Sequence, residues 1–282
     1  MKNFVTKLSL FLLIFTFNGI INTCSAQNRI VIAGGSLTEI VFALGEGDQV
    51  IGVDKSSTYP QTVTQLPQIG YWKLLNIEGI LSLKPTLFIT LSDAEPNNVI
   101  NQVAQAKVDV LSLQRVPGTL EVLYENIEKI ANKLHKTDQG KKLIEHIKSN
   151  LSQIQHKIAM HPNKTKVLFL MSMGGTNSVA GKNTTADALI TIAGGENLAK
   201  HNSYKSYTAE SIIAMNPDVI ILNNHSILQL GGMDKIDTIP GITETSAFKN
   251  HRIVTIDDGY LFGIGPRVDE VAKILYDSFY SQ

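Results

Sequence analysis

Cysteine is nearly missing from this chain. Cys24 is the only one in 282 residues, so the folded part holds neither an internal disulfide nor a thiolate metal site. An excess of one charge is missing too: Lys and Arg number 25, and so do Asp and Glu. That balance offers no broad basic face, and no nucleic-acid partner is expected. Long hydrophobic runs are absent, since Leu8–Phe17 is too short to span a bilayer. The sequence contains no G-x-x-x-x-G-K-[ST], no H-E-x-x-H and no G-x-S-x-G, which removes the commonest phosphate-binding, zinc-hydrolase and serine-hydrolase signatures. The seven histidines lack metal-site spacing. His135, His146, His156 and His161 fall on or beside polar helix faces and read as solvated residues.

What is present is ordinary globular composition, 43% hydrophobic and 18% charged, enough for one large or two moderate domains. Lys2 and Lys7 followed by the apolar run and by Cys24-Ser25-Ala26 read as a signal peptide over 1–26, cleaved before Gln27. Cys24 admits two readings, lipid attachment or the small position of an ordinary cleavage site. The residues Ile21-Asn22-Thr23 before it favour the second.

From Arg29 onward, short apolar strands alternate with helices. Arg29–Ala33, Val50–Val53, Leu87–Thr90 and Val108–Leu113 read as strands. Helices are expected from Thr38 to Leu44, from Ile77 to Leu83 and from Val99 to Ala106. This is the grammar of an α/β unit with a mostly parallel sheet. Thr119–Met160 differs: it has no proline, and its apolar residues recur at helical spacing. It predicts two helices, the second running from about Thr137 to Ala159. The α/β pattern then restarts, with strands at Lys166–Met171, Val219–Leu222 and Arg252–Ile256, and helices at Thr184–Ala193, Glu210–Met215 and Val268–Tyr280.

The halves echo each other. Ile77–Ile89 and Ala209–Ile221 share an acidic residue in a first helical turn, then a proline, then a buried strand. The reading is a lobe over 27–136, a linking helix over 137–161 and a second lobe over 162–282, with a cleft between lobes as the favoured ligand site. Gly34-Gly35-Ser36 offers either a tight turn or backbone amides for an anion, and turn geometry is the better reading.

The stretch Leu66-Pro67-Gln68-Ile69-Gly70-Tyr71-Trp72-Lys73 places two aromatics and a cation at the end of a loop. A phenolate is a hard donor suited to ferric iron, and tyrosine is one of the haem ligand types. Ligation displaces a proton that free tyrosine holds to a pKa near 10, and a nearby cation such as Lys73 assists. On the residues alone, a Tyr-Trp pair is more often a packing or rim feature.

Over nearly its whole mature length the chain resembles the periplasmic haem-binding proteins of ABC-type haem uptake systems, within the wider vitamin B12 and siderophore carriers. The resemblance lies in Val31–Ile40, Val53–Pro60, Leu66–Lys73, Ala180–Leu189, Leu230–Asp234 and Gly263–Arg267. It implies a class III periplasmic binding protein: two Rossmann-like α/β lobes bridged by one long helix, with one haem carried in the cleft and no reaction catalysed.

Tyr71 then matches the axial ligand of the haem iron, and Lys73 stands where relatives often carry an arginine. His225 stands at about the place of another such arginine, so it contacts a propionate or the Tyr71 oxygen, ligates iron, or is a surface-loop histidine. Met171 and Met173 stand after the strand that opens the second lobe, where core packing is favoured over ligation. Tyr59, Trp72, Tyr204 and Tyr207 either line the cleft or pack within the lobes. Glu78 and Glu210 match docking glutamates for a permease dimer with its ATPase, or else simply favour helix starts.

The implied setting is a monomer in the periplasm, with an outer-membrane haem receptor upstream. The rivals are a siderophore or cobalamin carrier of the same fold, a haem chaperone or surface receptor without a transporter, and a secreted α/β hydrolase. The hydrolase finds no constellation among Asp54, Asp187, Asp257 and Asp258.

Overall fold

The computed structural model describes residues 28–173 and 176–280; the expected leader and Cys24 lie outside them. The chain up to residue 113 lays down six strands, β1 (Ile30–Ala33), β2 (Val50–Val53), β3 (Gly70–Tyr71), β4 (Leu74–Leu75), β5 (Leu87–Leu91) and β6 (Asp109–Leu113). Between them lie helices α1 (Gly35–Ala43), α2 (Ile77–Ser82) and α3 (Asn98–Gln105). Four strands form a parallel sheet in the order β2-β1-β5-β6, while β3 and β4 pair as a separate antiparallel hairpin. β1 and β5 are buried at every residue, because a parallel sheet is covered on both faces and its strands become continuous apolar runs.

Two helices follow, α4 (Leu120–Lys133) and α5 (Thr137–Ile158). The 22 residues of α5 make a rod about 33 Å long. It packs against α4 on one side and against the closing helix on the other. Gly140 permits the close approach to α4, since a Cβ there would lie 2.6 Å from that of Ala131.

The second sheet is built from β7 (Lys166–Met173), β8 (Thr176–Ala180), β9 (Glu196–Asn197), β10 (Tyr204–Ser206), β11 (Val219–Asn223) and β12 (Ile253–Ile256). Its helices are α6 (Thr185–Ile192), α7 (Ala209–Met215), α8 (Asn224–Leu230), α9 (Ser246–Lys249) and α10 (Val268–Tyr280). The order is β10-β8-β7-β11-β12, with β9 also on β7. β7, β11 and β12 are parallel, whereas β8 runs antiparallel to both of its neighbours, β7 and β10.

The expected mixed α/β architecture with a long central helix is therefore present, with local corrections. β8, β9 and β10 went unread because they are short and partly polar. Asn223–Ser226, read as a loop, is the end of β11 and the first turn of α8. α1 begins at Gly35 rather than Thr38. Gly34 turns the chain at φ 139°, and a Cβ on Gly35 would meet the Ser56 carbonyl oxygen at 2.4 Å. The two amides that an anion would use donate instead to Asp54 Oδ1 and Ser56 Oγ, each at 2.9 Å. Tight-turn geometry is thus the role of the glycine pair.

Candidate ligand-binding cleft

In open α/β sheets a ligand site lies beyond the carboxyl ends of the strands, where the strand order reverses. In the first sheet the order turns about β1, with β2 on one side and β5 on the other. The residues beyond those ends include Gly34, Asp54, Asp93 and Arg115; in the second sheet Ser172 and Asn223 stand at the ends of β7 and β11, with His225 and Asp258 beyond. Close contacts join these loops across the lobes. A Cβ on Gly263 would lie 3.0 Å from Ser36 Oγ and 3.4 Å from Arg115 Cγ, and one on Gly259 would lie 3.1 Å from Thr58 Oγ1.

Tyr71 reaches this seam from the β3–β4 hairpin. Gly70 adopts φ 104° because a Cβ there would strike the Leu74 carbonyl oxygen at 2.6 Å. The hairpin turn is tied to the sheet by the fully buried Asp54, whose Oδ2 accepts the Trp72 backbone N–H at 3.1 Å. Asp54 also accepts from Gly34 N–H, from Ser56 N–H and Oγ, and from Ser57 Oγ. Burial pushes the Asp54 carboxyl above its ordinary value, and these donors pull it back. The Tyr71 ring is half-buried, tilted against Trp72 with centroids 5.6 Å apart. Burial raises its phenol above the ordinary value; the Trp72 side chain lowers it, the Asp54 charge raises it and Arg115 lowers it.

Trp72 is not an open cleft wall. It is only 5% exposed and belongs to the main core. Two cations rest on its ring, Lys73 Nζ at 5.0 Å and the Arg115 guanidinium at 4.7 Å from the centroid. The Tyr71 phenol registers the charge of Arg115 and not that of Lys73. Sequence reasoning missed Arg115. It stands far from Tyr71 along the chain, in a loop without a motif, and only the pairing of β5 with β6 brings it in. Arg115 Nη2 donates to Asp93 Oδ2 at 2.5 Å.

The second lobe supplies a polar wall organised by Asp258. This carboxylate accepts the Asn223 side-chain amide through Oδ1 and the His225 backbone N–H at 3.0 Å through Oδ2. Ser226 Oγ donates to Asn223 Oδ1 and accepts the Ser172 N–H at 2.8 Å, tying α8 to the end of β7. The His225 ring is exposed and meets Gln229 at 3.0 Å. Tyr204 and Tyr207 are part-buried, and burial pushes both phenols up to about 12; Arg115 opposes this at Tyr204 alone. Tyr204 packs on the main core and Tyr207 on a smaller cluster of the second lobe. Met171 packs on the main core. The backbone of Met173 ends β7, and its side chain lies outside the described residues.

An ion pair crosses the seam. Arg267 Nε donates to Glu39 Oε2 at 3.0 Å and Nη2 donates to Oε1 at 2.5 Å. The guanidinium is stacked between Tyr59 at 3.8 Å and Tyr260 at 4.4 Å. Tyr59, 46% exposed, gives one ring to Arg267. Two cavities at the seam floor amount to about 10 Å³ each, room for one water at most. The floor is closed. A larger cavity, about 330 Å³, lies on the second lobe among Lys164, Lys182, Asp187, Glu196 and Lys200. Its charges are mixed, and Lys200 is already paired with Glu196 at 2.9 Å.

Glu78 and Glu210 are exposed in the first turns of α2 and α7, one on each lobe. Asn76 caps the first helix and Thr208 the second. The Glu210 carboxyl is held below its ordinary value by its own backbone N–H and by Thr208. Among the described residues no group of three or more His, Cys, Asp or Glu side chains is disposed to hold a metal ion.

The family model described as periplasmic binding protein matches residues 30–260. The uncharacterized ABC transporter substrate-binding lipoprotein YvrC of Bacillus subtilis is 30% identical over 257 residues, 89% of this chain and 80% of its own. The vitamin B12-binding protein of Vibrio campbellii is 26% identical over 201 residues, 71% of this chain and 72% of its own. Among solved structures, the periplasmic heme-binding protein RhuT from Roseiflexus sp. RS-1, in apo form, superposes with a TM-score of 0.85 at 36% identity, covering 90% of this chain and 98% of that one.

Proposed function

The chain belongs to the periplasmic binding protein family, and from that premise we propose that it captures haem between its lobes and hands it to an ABC-type importer. Family membership makes it an exported, non-enzymatic solute-binding component that works with a membrane permease and its ATPase. The finer reading is one ferric haem per protein, ligated by Tyr71, in the periplasm.

The observation that carries this reading is the setting of Tyr71. Its phenol is half-buried at the seam on a hairpin fixed by Asp54, with the Arg115 charge favouring the phenolate. A phenolate so placed offers ferric iron a rigid oxygen donor. The buried carboxylate, the glycine at Gly70 and the stacked indole make the ligand's position a property of the folded lobe. In this reading the exposed His225 of the second lobe and the exposed Lys73 of the first receive the propionates. Glu78 and Glu210 then serve as the acidic docking points, one per lobe, for basic residues of the permease.

A haemin titration followed by visible absorbance tests the reading. The expected result is saturation at one equivalent with a tyrosine-ligated ferric spectrum that Tyr71→Ala abolishes. Unchanged affinity and spectrum in Tyr71→Ala would end the ligand assignment. The likeness to a vitamin B12-binding protein makes cobalamin the second reading. Competition among haemin, cobalamin and a ferric siderophore separates the carriers. Reversing the charge of Glu78 and Glu210 is expected to abolish stimulation of the permease ATPase while leaving haemin affinity unchanged.

A further inference from the structure

Two arginine–carboxylate pairs stand in the cleft region, and they differ in kind. Arg267 and Glu39 form a full fork, with both arms used and side chains only 12% and 7% exposed. Arg115 and Asp93 share a single bond of 2.5 Å, with side chains 23% and 42% exposed. Arg115 Nε and Asp93 Oδ1 are buried and have no partner. A two-armed pairing would satisfy both atoms, yet the pair is left unsaturated.

The register explains why these side chains meet. Leu91 of β5 lies opposite Leu113 of β6, so Asp93 and Arg115 are the next residues on the same side beyond the carboxyl ends. The arginine is confined from both lobes, by the Trp72 ring at 4.7 Å and by the Gly263 backbone beside its Cγ. Its charge reaches Tyr71 of the first lobe and Tyr204 of the second. It is thus a cation held between the walls, facing a carboxylate that solvent also reaches.

We propose that Asp93 is a stand-in for the cargo's carboxylate: it holds Arg115 while the cleft is empty and yields it to a propionate of the entering tetrapyrrole. This rests on the haem reading and names the residue that selects the acidic edge of the cargo. The exchange swaps one carboxylate for another at the same guanidinium, so no bond to the cargo is made or broken and no proton need move. Asp93 is released toward water, where its charge is solvated. The guanidinium stays against Trp72 in both states. The saturated Glu39–Arg267 pair has no such freedom and remains as a tie between lobes.

The test compares haemin with its dimethyl ester, which lacks the carboxylates, on the full folded protein. Wild type is expected to prefer haemin by about ten-fold, the scale of one charge-assisted pair. Arg115→Met is expected to lose that preference, and Arg115→Lys to keep part of it. Asp93→Asn removes the competitor. It is expected to tighten haemin binding by about three- to ten-fold and leave the ester unchanged. A preference retained in Arg115→Met overturns the proposal, and so does haemin affinity unchanged or weakened in Asp93→Asn. Should Arg115→Met not fold, Asp93→Asn alone decides. Failure of wild type to bind either ligand with a tyrosine-ligated spectrum would instead remove the haem reading itself.

Discussion

Tyr71 and Tyr204 occupy corresponding places in the two lobes. Each lies on a short strand a few residues before a capped helix, Tyr71 on a separate hairpin ahead of α2 and Tyr204 on the edge of the second sheet ahead of α7, and each feels the charge of Arg115. The backbone grammar is shared, yet the chemistry is not. At Tyr204 burial prevails and the phenol is pushed up to about 12. At Tyr71 burial also raises the phenol, but both Trp72 and Arg115 oppose it. The anchoring carboxylates differ in the same way: Asp54 is wholly buried and gathers a hairpin and a turn, whereas Asp258 is part-exposed and ties a helix start to a strand end. The two lobes thus each supply a tyrosine, and the two phenols differ in burial and in the charges around them.

The sharpest way to break this comparison is to remove one phenol oxygen at a time. Tyr71→Phe is expected to lower haemin affinity by about 100-fold, roughly 2.7 kcal/mol, and Tyr204→Phe by no more than about three-fold, both read by absorbance titration. Equal losses would make the lobes chemically equivalent.

The carboxylates come next. Asp54→Ala strands buried donors of Gly34, Ser56, Ser57 and Trp72, and is expected to cost about 3 kcal/mol of stability. Asp258→Ala is expected to cost about 1 kcal/mol. Denaturant unfolding measures both, and a reversed order would show the second lobe to be the more tightly anchored.

The tie between the lobes is expected to contribute less. A double-mutant cycle on Glu39→Gln and Arg267→Met should return a coupling of about 1–2 kcal/mol. The exposed Glu125–Lys129 pair should return under about 0.5 kcal/mol.

A further effect is alkaline. With Tyr204 and Tyr207 held protonated up to about 12 and unfolded tyrosine titrating near 10, the unfolded chain binds fewer protons than the folded one in that window. Stability is therefore fully present below pH 10 and declines as pH rises toward about 12. Replacing both tyrosines with phenylalanine should flatten the decline in unfolding experiments across that range.

Much of the architecture was legible in the chain. The proline-free stretch with helical apolar spacing became α4 and α5, and the echo of Ile77–Ile89 in Ala209–Ile221 became α2–β5 and α7–β11. These elements are dictated by contacts within one turn or one strand. Tyr71 was legible as well, as an aromatic at the end of a glycine-marked loop. For Trp72 and Tyr59 the sequence left cleft lining and lobe packing open, because aromatic character does not say what will cover a ring. Lys73 was legible beside Tyr71, but Arg115 was not, since proximity along the chain was the only distance available. Asp54 appeared merely as an available acid. Its partners Gly34 and Trp72 lie on opposite sides of it in the chain and meet only when β1 and β2 pair.

By itself the sequence determined the strand and helix periods, the duplicated lobe, the glycine turns and the aromatic loop, because these depend on local sterics and on which faces are apolar. Only the tertiary structure decided which charge meets which. The Glu39–Arg267 fork, the Arg115–Asp93 pair and the solvation of Tyr71 join residues from separate strands and lobes. Electrostatic energy depends on distance and burial, and neither exists until the sheets have assembled.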